Sequence, residues 1–468
     1  MSAGNLLSVL AISGKHRDQL RRHLFPGDGK EAVAIALCGQ AVGTSRSQLL
    51  VHEIIVVPYQ ACRIREPDAV AWSVESVLPA LNRAMQLKLT VVKFHSHPGG
   101  YPEFSTYDDA SDRAFFRAVD DVLDNDDMRA SVVMLPDGRF FGRSVRNGVL
   151  GNPVVLFRIA GDDFEFIRCS DDAFDDPEAP EHALRIIQTF GEGTYRTLRR
   201  LRIGVVGASG TGSIVLEQLA RNCVGELVPV DPDHLERKNL NRIVNSRGSD
   251  ADARRMKVDR AYEAVLEMGL GTRVFPLGKE ICEREVILAL GECDILFGCV
   301  DSADGRHILN KIASHFLIPL IDLGVRIDAD GKGNVDQVTG AIHTIQPGGS
   351  SLMSRGVYSQ VDLDAAFMRK HEPQRYKEMA KAGYVKGVEV DRPAVISLNM
   401  LIAAYAVNEM LARLMPYRVD PNSEFAQRRI SLSDPLASSN EGDGEVCESF
   451  AKRIGFGDIE PLLGIMDL

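Results

Sequence analysis

Two histidines, a serine and an aspartate stand at fixed offsets in VVKFHSHPGGYPEFSTYDD, residues Val91 to Asp109: His95, His97, Ser105 and Asp108, in the pattern H-x-H-x7-S-x2-D. Residues two apart on a strand point to the same face, so an apolar strand that ends at His95 and His97 aims both imidazoles into one site. Two ring nitrogens and one carboxylate oxygen make three ligands of a tetrahedral zinc ion and leave a fourth position for water, the layout of a catalytic centre. An ion so held lowers the pKa of water and polarises a carbonyl. Ser105-x-x-Asp108, just ahead of an apolar helical pattern, also reads as a helix capping box, which needs no metal.

A second set of chemistry-bearing residues begins at Leu201. LRIGVVGASGTGSIVLEQLA is an apolar strand, a glycine-rich turn and a helix, and Gly207, Gly210 and Gly212 let backbone N–H groups close on phosphate at the helix N-terminus. A glycine turn alone also serves dinucleotide dehydrogenases. Asp231, 19 residues beyond Gly212, stands where an acidic residue holds a ribose hydroxyl, which fits either cofactor. Asn239, Arg242 and Lys257 follow, then Asp301 at the end of the apolar run CDILFGCVD.

The first pattern resembles the JAMM (MPN-plus) metalloproteases, which cleave isopeptide or peptide bonds after the C-terminus of ubiquitin-like proteins. The resemblance covers about the first 150 residues. It implies His95, His97 and Asp108 as zinc ligands, Ser105 as hydrogen-bond donor to the oxyanion, and a glutamate on an early strand as general acid/base. Glu31, in KEAVAIALCGQ, stands in that place, although Ala34 replaces the usual glycine; Glu53, in VHEIIVVP, is the competitor.

The second set resembles the ThiF-type ubiquitin-activating superfamily, which adenylates the C-terminal glycine of ubiquitin-like proteins, over residues 182 to 415. By that resemblance Asp231 and Asp233 lie near the ribose, Asn239, Arg242 and Lys257 contact the ATP phosphates, Asp301 holds Mg²⁺, and Arg185 is the arginine that such dimers lend to the neighbouring subunit. Attack of a carboxylate on the α-phosphate brings two anionic groups together, so cations must offset the developing charge. Related sequences place a cysteine pair in the segment crossing after the core. Here IHTIQPGGSSLMSRGVYSQ offers Ser351 and Ser354 at that spacing, and no cysteine lies between Cys299 and Cys447. A structural zinc is therefore not expected there. Three outcomes for the activated end stay open: release as the adenylate, capture by Ser351 or Ser354 as an oxyester, or capture by Cys447 as a thioester.

These groups must be positioned by an α/β fold: a mixed-sheet α/β domain of the JAMM type over 1–150, an acidic linker over 151–181, a Rossmann-like adenylation domain of the ThiF type over 182–415, and a C-terminal segment over 416–468. AVAIALCG, QLLVHEIIVVP, LTVVKFHSH and ASVVMLP read as strands of the first domain, and ESVLPALNRAMQ and DDASDRAFFRAVDDVL as its amphipathic helices. GDDFEFIRCSDDAFDDPEAPE, residues 161–181, is acidic with two prolines and reads as a linker or solvated edge. RPAVISLNMLIAAYAVNEMLARL, starting behind Pro393, has helical spacing. Asn399, Asn408, Glu409 and Arg413 interrupt it, so a core or homodimer helix is expected there and not a membrane span. The last 50 or so residues, rich in Ser, Asp, Gly and Glu, read as a mobile segment ending in an anchored tail.

With 468 residues, 45% apolar and 25% charged, the composition is that of an ordinary globular protein with room for several cores. A formal net charge of -11 argues against a nucleic-acid surface. The N-terminus lacks a signal-peptide pattern and no run of about 20 apolar residues occurs, so a cytoplasmic protein is expected. Eight scattered cysteines form neither a disulfide framework nor a C-x-x-C site. The combined expectation is one chain that trims and activates a ubiquitin-like or sulfur-carrier protein with a C-terminal glycine, using Zn²⁺, ATP and Mg²⁺, and works as a homodimer. Its next partner would be a protein resembling a ubiquitin-conjugating enzyme or a sulfurtransferase.

Overall fold

The computed structural model describes residues 6–125, 127–169, 179–330, 332–381, 395–466 and 468. The chain divides into two units, the first made of residues 1–175, 314–317 and 452–468, the second of 176–313 and 318–451.

Eleven strands belong to the first unit: β1 (Leu7–Ser13), β2 (Val33–Val42), β3 (Arg46–Val56), β4 (Cys62–Glu66), β5 (Ala69–Trp72), β6 (Thr90–Ser96), β7 (Arg129–Met134), β8 (Phe140–Arg146), β9 (Val149–Pro153), β10 (Leu156–Ala160) and β11 (Phe164–Arg168). β4 and β5 form a separate hairpin, and the others make one mixed sheet in the order β11-β10-β1-β3-β2-β6-β7-β8-β9. On one face the helices Leu78–Leu87 and Thr106–Leu123 seal a core built on Val33, Ile35, Leu37 and Val91 from the strands and Phe115, Phe116 and Val119 from the longer helix. Strand residues two apart share a face, so the pairing register lays rows across the sheet on that side. One row is Val33–His95–Val133–Phe141, and the next is Ile35–Lys93–Ser131–Arg143.

The stretch expected to be an acidic linker, 151–181, instead holds the end of β9, all of β10 and all of β11, so the sheet of the first unit runs on past residue 150. FEFIR alternates apolar and polar residues, and β11 pairs antiparallel with β10. Residues 170–178, with five of the stretch's acidic side chains, lie outside the described residues. The chain's end also belongs to this unit. Gly39 N–H donates to the Gly455 carbonyl at 3.0 Å, Asp458 N–H to the Gln40 carbonyl at 3.0 Å, and Val42 N–H to Asp458 Oδ2 at 3.1 Å. A Cβ on Gly39 would lie 2.3 Å from the Gly455 oxygen, a backbone atom with nowhere to go. Gly39→Ala is therefore expected to lift the tail and destabilise the unit by about 1–3 kcal/mol, read as a lower thermal midpoint. An unchanged midpoint would mean that the tail contributes no stability.

The second unit holds β12 (Arg202–Val206), β13 (Glu226–Val230), β14 (Arg273–Val274), β15 (Ile295–Gly298), β16 (Leu320–Ala329), β17 (Val335–Ile345), β18 (Gln427–Ser431) and β19 (Ser439–Glu441), in the order β14-β13-β12-β15-β16-β17-β18-β19. The first five run parallel, as crossover helices require, and the last three extend the sheet antiparallel. β18 and β19 are a correction to the mobile C-terminal segment: QRRIS finds a partner in β17 that lies some 90 residues upstream, and local composition does not reveal such pairing. The apolar stretch expected as a helix is one from Ile396 to Leu414, with Ile402, Ala403, Ala406 and Met410 buried, while Pro393 and its neighbours lie outside the described residues. Ile402 sits against Gly340 of β17, where a Cβ would lie 2.1 Å from Ile402 Cδ1. No helix among the described residues is long and apolar enough to cross a membrane.

Candidate functional site

In the first unit β6 delivers His95, with His97 one residue beyond the strand, and both are buried. Ser105 caps the helix Thr106–Leu123. Its hydroxyl accepts from Asp108 N–H at 3.1 Å, while Asp108 Oδ2 accepts from the Ser105 N–H at 2.8 Å and from its hydroxyl at 2.7 Å. The cap thus pins one carboxylate oxygen and leaves the other, Oδ1, 3.0 Å from His95 Nε2. His97 Nε2 lies 3.2 Å from His95 Nε2 and 3.5 Å from Asp108 Oδ2. Ligand atoms on a tetrahedral zinc ion, with bonds of about 2.0–2.1 Å, are about 3.3 Å apart, and the separations of His95 Nε2 from His97 Nε2 and from Asp108 Oδ1, 3.2 and 3.0 Å, are close to that. Among the described residues it is the one cluster of three or more His, Cys, Asp or Glu groups that could hold a metal.

The tautomers fit as well. His97 Nδ1–H donates to the Tyr101 carbonyl at 2.8 Å, which leaves Nε2 its lone pair. His95 Nδ1 is buried and has no partner among the described residues, so packing beside Phe104, at 6.3 Å between ring centres, orients that ring. Burial works against the Asp108 carboxylate, but the facing His95 and His97 imidazoles outweigh it and hold the carboxyl well below the usual carboxylate range. Burial holds His95 below the ordinary imidazole value. In His97 burial acts the same way but is overcome by Asp108 and Tyr101, and the value rises.

Glu31 precedes β2, and because Val33 pairs with His95, Glu31 falls beside His97: its Oε1 is 3.9 Å from His97 Nε2. Burial raises its carboxyl to about 7, against the pull of His97. Glu53 pairs with Leu37, further along β2, and its carboxylate takes Arg83 Nε at 2.6 Å. Of the two glutamates, the geometry places Glu31 within reach of the imidazoles. Lys93, Asp112 and Arg143 lie one row behind the triad, and no motif singles them out. The signal available was charge inside the apolar run of β6, and the spacing of four between Asp108 and Asp112.

In the second unit β12 and β15 are neighbours although the chain visits β13 and β14 between them, so strand order reverses there. Open parallel sheets bind ligands above such a point, outside the carboxyl ends of the strands. Gly207 turns there at φ 94°, and a Cβ on Gly212 would lie 1.7 Å from the Gly207 oxygen. A side chain on Gly210 would begin 3.2 Å from Arg242 Cδ, so the Arg242 stem lies along the first turn of the helix Gly210–Arg221. Asp231, just past β13, accepts from Ala208 N–H at 2.8 Å and Asp233 N–H at 2.9 Å. The buried Lys257 ammonium is 3.4 Å from Asp231 Oδ1 and 2.6 Å from Asp233 Oδ2. Burial raises the Asp231 carboxyl, with Lys257 opposing. Asn239 is buried as a local cap, its Oδ1 accepting from Glu236 N–H at 2.9 Å. Asp301 is exposed three residues past β15. Arg185 is exposed on the helix Leu184–Phe190, its guanidinium bonded to Gln188 Oε1 at 3.1 Å and not to any of these groups.

Ser351 and Ser354 bond each other's backbone: Ser351 N–H donates to Ser354 Oγ at 2.8 Å, and Ser354 N–H to Ser351 Oγ at 3.0 Å. The fold brings Cys447 to the same loop, its N–H donating to the Gly349 carbonyl at 3.1 Å. Burial raises the Cys447 thiol, but hydrogen bonds with Ser351 and Ser449 prevail and hold it below the ordinary value. The three candidate acceptors therefore share one neighbourhood.

Residues 13–141 match the family model of prokaryotic homologs of the JAB domain, and residues 182–439 match that of the ThiF family. A protein named ubiquitin-activating enzyme E1-like, from Saccharomyces cerevisiae, is 29% identical over 141 residues, which is 30% of this chain and 22% of that one. A SAMP-activating enzyme E1 from Haloferax volcanii is 33% identical over 130 residues, 28% of this chain and 47% of that one. An adenylyltransferase and sulfurtransferase from Meyerozyma guilliermondii is 27% identical over 151 residues, 32% of this chain and 35% of that one. The chain thus spans less than half the length of each of these relatives.

Proposed function

The chain belongs to the ThiF family, whose model spans more than half of it, and from that premise we propose that it is a bifunctional enzyme acting on the C-terminus of a ubiquitin-like protein. The JAB-like unit cleaves after the carrier's terminal glycine as a zinc peptidase, and the ThiF unit adenylates that glycine for conjugation. The observation that carries the reading is the triangle of His95, His97 and Asp108 with Glu31 beside it, in the same chain as a glycine turn at a strand-order reversal.

In the first unit His95 Nε2, His97 Nε2 and Asp108 Oδ1 would hold the ion. Bound there, zinc supplies a Lewis acid for the scissile carbonyl and acidifies water. Glu31, whose carboxyl titrates near neutrality, takes a proton from the attacking water and returns it to the leaving amine. Ser105 donates to the oxyanion once its hydroxyl leaves Asp108. In the second unit the N–H groups of the glycine turn would receive ATP phosphate, Asp231 and Asp233 would face the ribose, and Asp301 would hold Mg²⁺. Arg242 and Lys257 offset the charge that builds as the carrier's carboxylate attacks the α-phosphate. Homodimerisation would bring the partner subunit's copy of the Arg185 helix to this site.

The test is made on the full chain with a carrier extended past its glycine, and with the mature form. Removing zinc with 1,10-phenanthroline is expected to abolish cleavage of the extension while carrier-dependent exchange of pyrophosphate into ATP, run in excess Mg²⁺, stays unchanged. Cleavage that resists the chelator would sink the peptidase half, and exchange that ignores the carrier would sink the other. A chain with neither zinc nor exchange would be a silent scaffold binding the carrier's tail. The name of the Meyerozyma relative favours a second reading, in which the adenylated end goes to a sulfur donor and not to a conjugating-enzyme-like protein. Intact mass after incubation with Mg-ATP and mature carrier reads the acceptor. An adduct removed by thiol and lost in Cys447→Ala is on Cys447, one that survives thiol, yields to hydroxylamine and is lost when Ser351 and Ser354 are both changed to Ala is on one of those serines, and adenylate without adduct means release.

A further inference from the structure

Asp108 and Asp112 are four apart on the helix Thr106–Leu123 and therefore share the face turned to the sheet. The first meets the row that contains His95, and the second meets the row behind it. Asp112 Oδ1 accepts from the Lys93 ammonium at 2.7 Å and Oδ2 from Arg143 Nη2 at 2.7 Å. Lys93 and Asp112 are withdrawn from solvent, at 2% and 0% side-chain exposure. Lys93 and Arg143 flank Ser131 in one register row, Lys93 on β6 two residues before His95 and Arg143 on β8 two residues after Phe141. Arg143 also reaches Asp109 Oδ1 at 2.5 Å, and its guanidinium lies 3.8 Å from the centre of the Phe104 ring, which packs on His95.

We propose that Lys93, Asp112 and Arg143 are positioning residues that set the helix, and with it Asp108, at the distance from the two imidazoles that zinc requires. The inference rests on the reading of His95, His97 and Asp108 as the metal site. A buried ion cluster is a poor source of stability, because desolvation of the charges cancels most of their attraction. Its value here is geometric: two cations from two strands grip both oxygens of one carboxylate, which fixes the helix both along and across the sheet. His95 makes this setting matter more, since its Nδ1 has no hydrogen-bond partner among the described residues and the ring cannot be steered from behind.

The experiment titrates metal-stripped full-length protein with Zn²⁺ against a chromophoric chelator and follows thermal unfolding of the metal-free form. The double variant Lys93→Met with Asp112→Leu replaces the buried pair by apolar groups of similar size, a change that tends to leave stability unaltered. It is expected to bind zinc about 10- to 100-fold more weakly, the usual effect of losing an outer-shell partner, while the metal-free midpoint holds. Arg143→Met releases one of the two grips while Lys93 and Asp112 stay paired and Asp109 keeps its exposure to solvent, and is expected to lose about tenfold by the same route, so it serves if the double variant does not fold. Folded variants that bind zinc within about twofold of the unaltered protein would overturn the proposal. Absence of zinc binding by the unaltered protein would be a different failure, that of the metal site itself.

Discussion

Glu31→Gln is expected to abolish cleavage of a carrier extension to the extent of about 10²–10⁴-fold while leaving zinc content unchanged. Glutamine keeps the shape of the side chain but takes up no proton, so it removes acid–base chemistry and little else. Glu31 Oε1 is 3.9 Å from the nearest ligand nitrogen and stands outside the triangle that would hold the ion, so the metal should not depend on it. Glutamine also matches a site that disfavours charge, since burial already raises the Glu31 carboxyl to about 7, and loss of the acid should cost no stability. Glu53→Gln is the control. It breaks a surface pair with Arg83, where the glutamate side chain is 37% exposed, and such pairs contribute little, so near-normal cleavage is expected. Measured rates of extension cleavage with zinc content determined on the same samples decide the matter. A Glu31→Gln protein that cuts at the normal rate, with Glu53→Gln inactive, would reassign the general base.

The two glutamates show what the sequence lacks. Glu31 stands just before the apolar strand β2 and Glu53 within the apolar strand β3, and only the pairing of Val33 with His95, set by β2 against β6, puts Glu31 and not Glu53 at the imidazoles. Such register is a property of two segments some 60 residues apart. The histidine pair, in contrast, is legible from alternation along one strand, and so is the glycine turn, whose spacing is local. Ser105 and Asp108 looked like either a helix cap or a metal site. The cap forms and still leaves Asp108 Oδ1 3.0 Å from His95 Nε2, because a carboxylate has two oxygens and the cap uses one, so neither reading displaces the other. β11 and β18 escaped notice for a different reason: short strands beside acidic or polar text gain their stability from neighbours far along the chain, which no window of composition contains. Cys447 beside Ser351 is a long-range closure of the same kind, across nearly a hundred residues.

Arg242→Ala is expected to lower carrier-dependent pyrophosphate exchange by about 10²–10³-fold with the fold intact, the cost of removing one preorganised donor from a developing anion. Arg242 tests the adenylation site more cleanly than Lys257 does. The Lys257 ammonium is buried against Asp231 and Asp233, and its removal would strand the buried Asp231 carboxylate and so mix lost stability with lost chemistry. The Arg242 guanidinium bonds only neutral groups, the Lys238 carbonyl at 2.8 Å and Asn241 Oδ1 at 3.2 Å, and has no carboxylate partner among the described residues. Truncating it leaves no buried charge alone, while its stem against Gly210 keeps it at the helix start where phosphate would bind. Arg242→Lys retains the charge but not the planar fork and should fall between the two. Because the cation acts on a charge that grows during the reaction, the loss should appear in the maximal exchange rate more than in the ATP concentration for half-saturation. Exchange within about twofold of the unaltered protein at saturating ATP would remove Arg242 from the site and leave Lys257 as the cation to test.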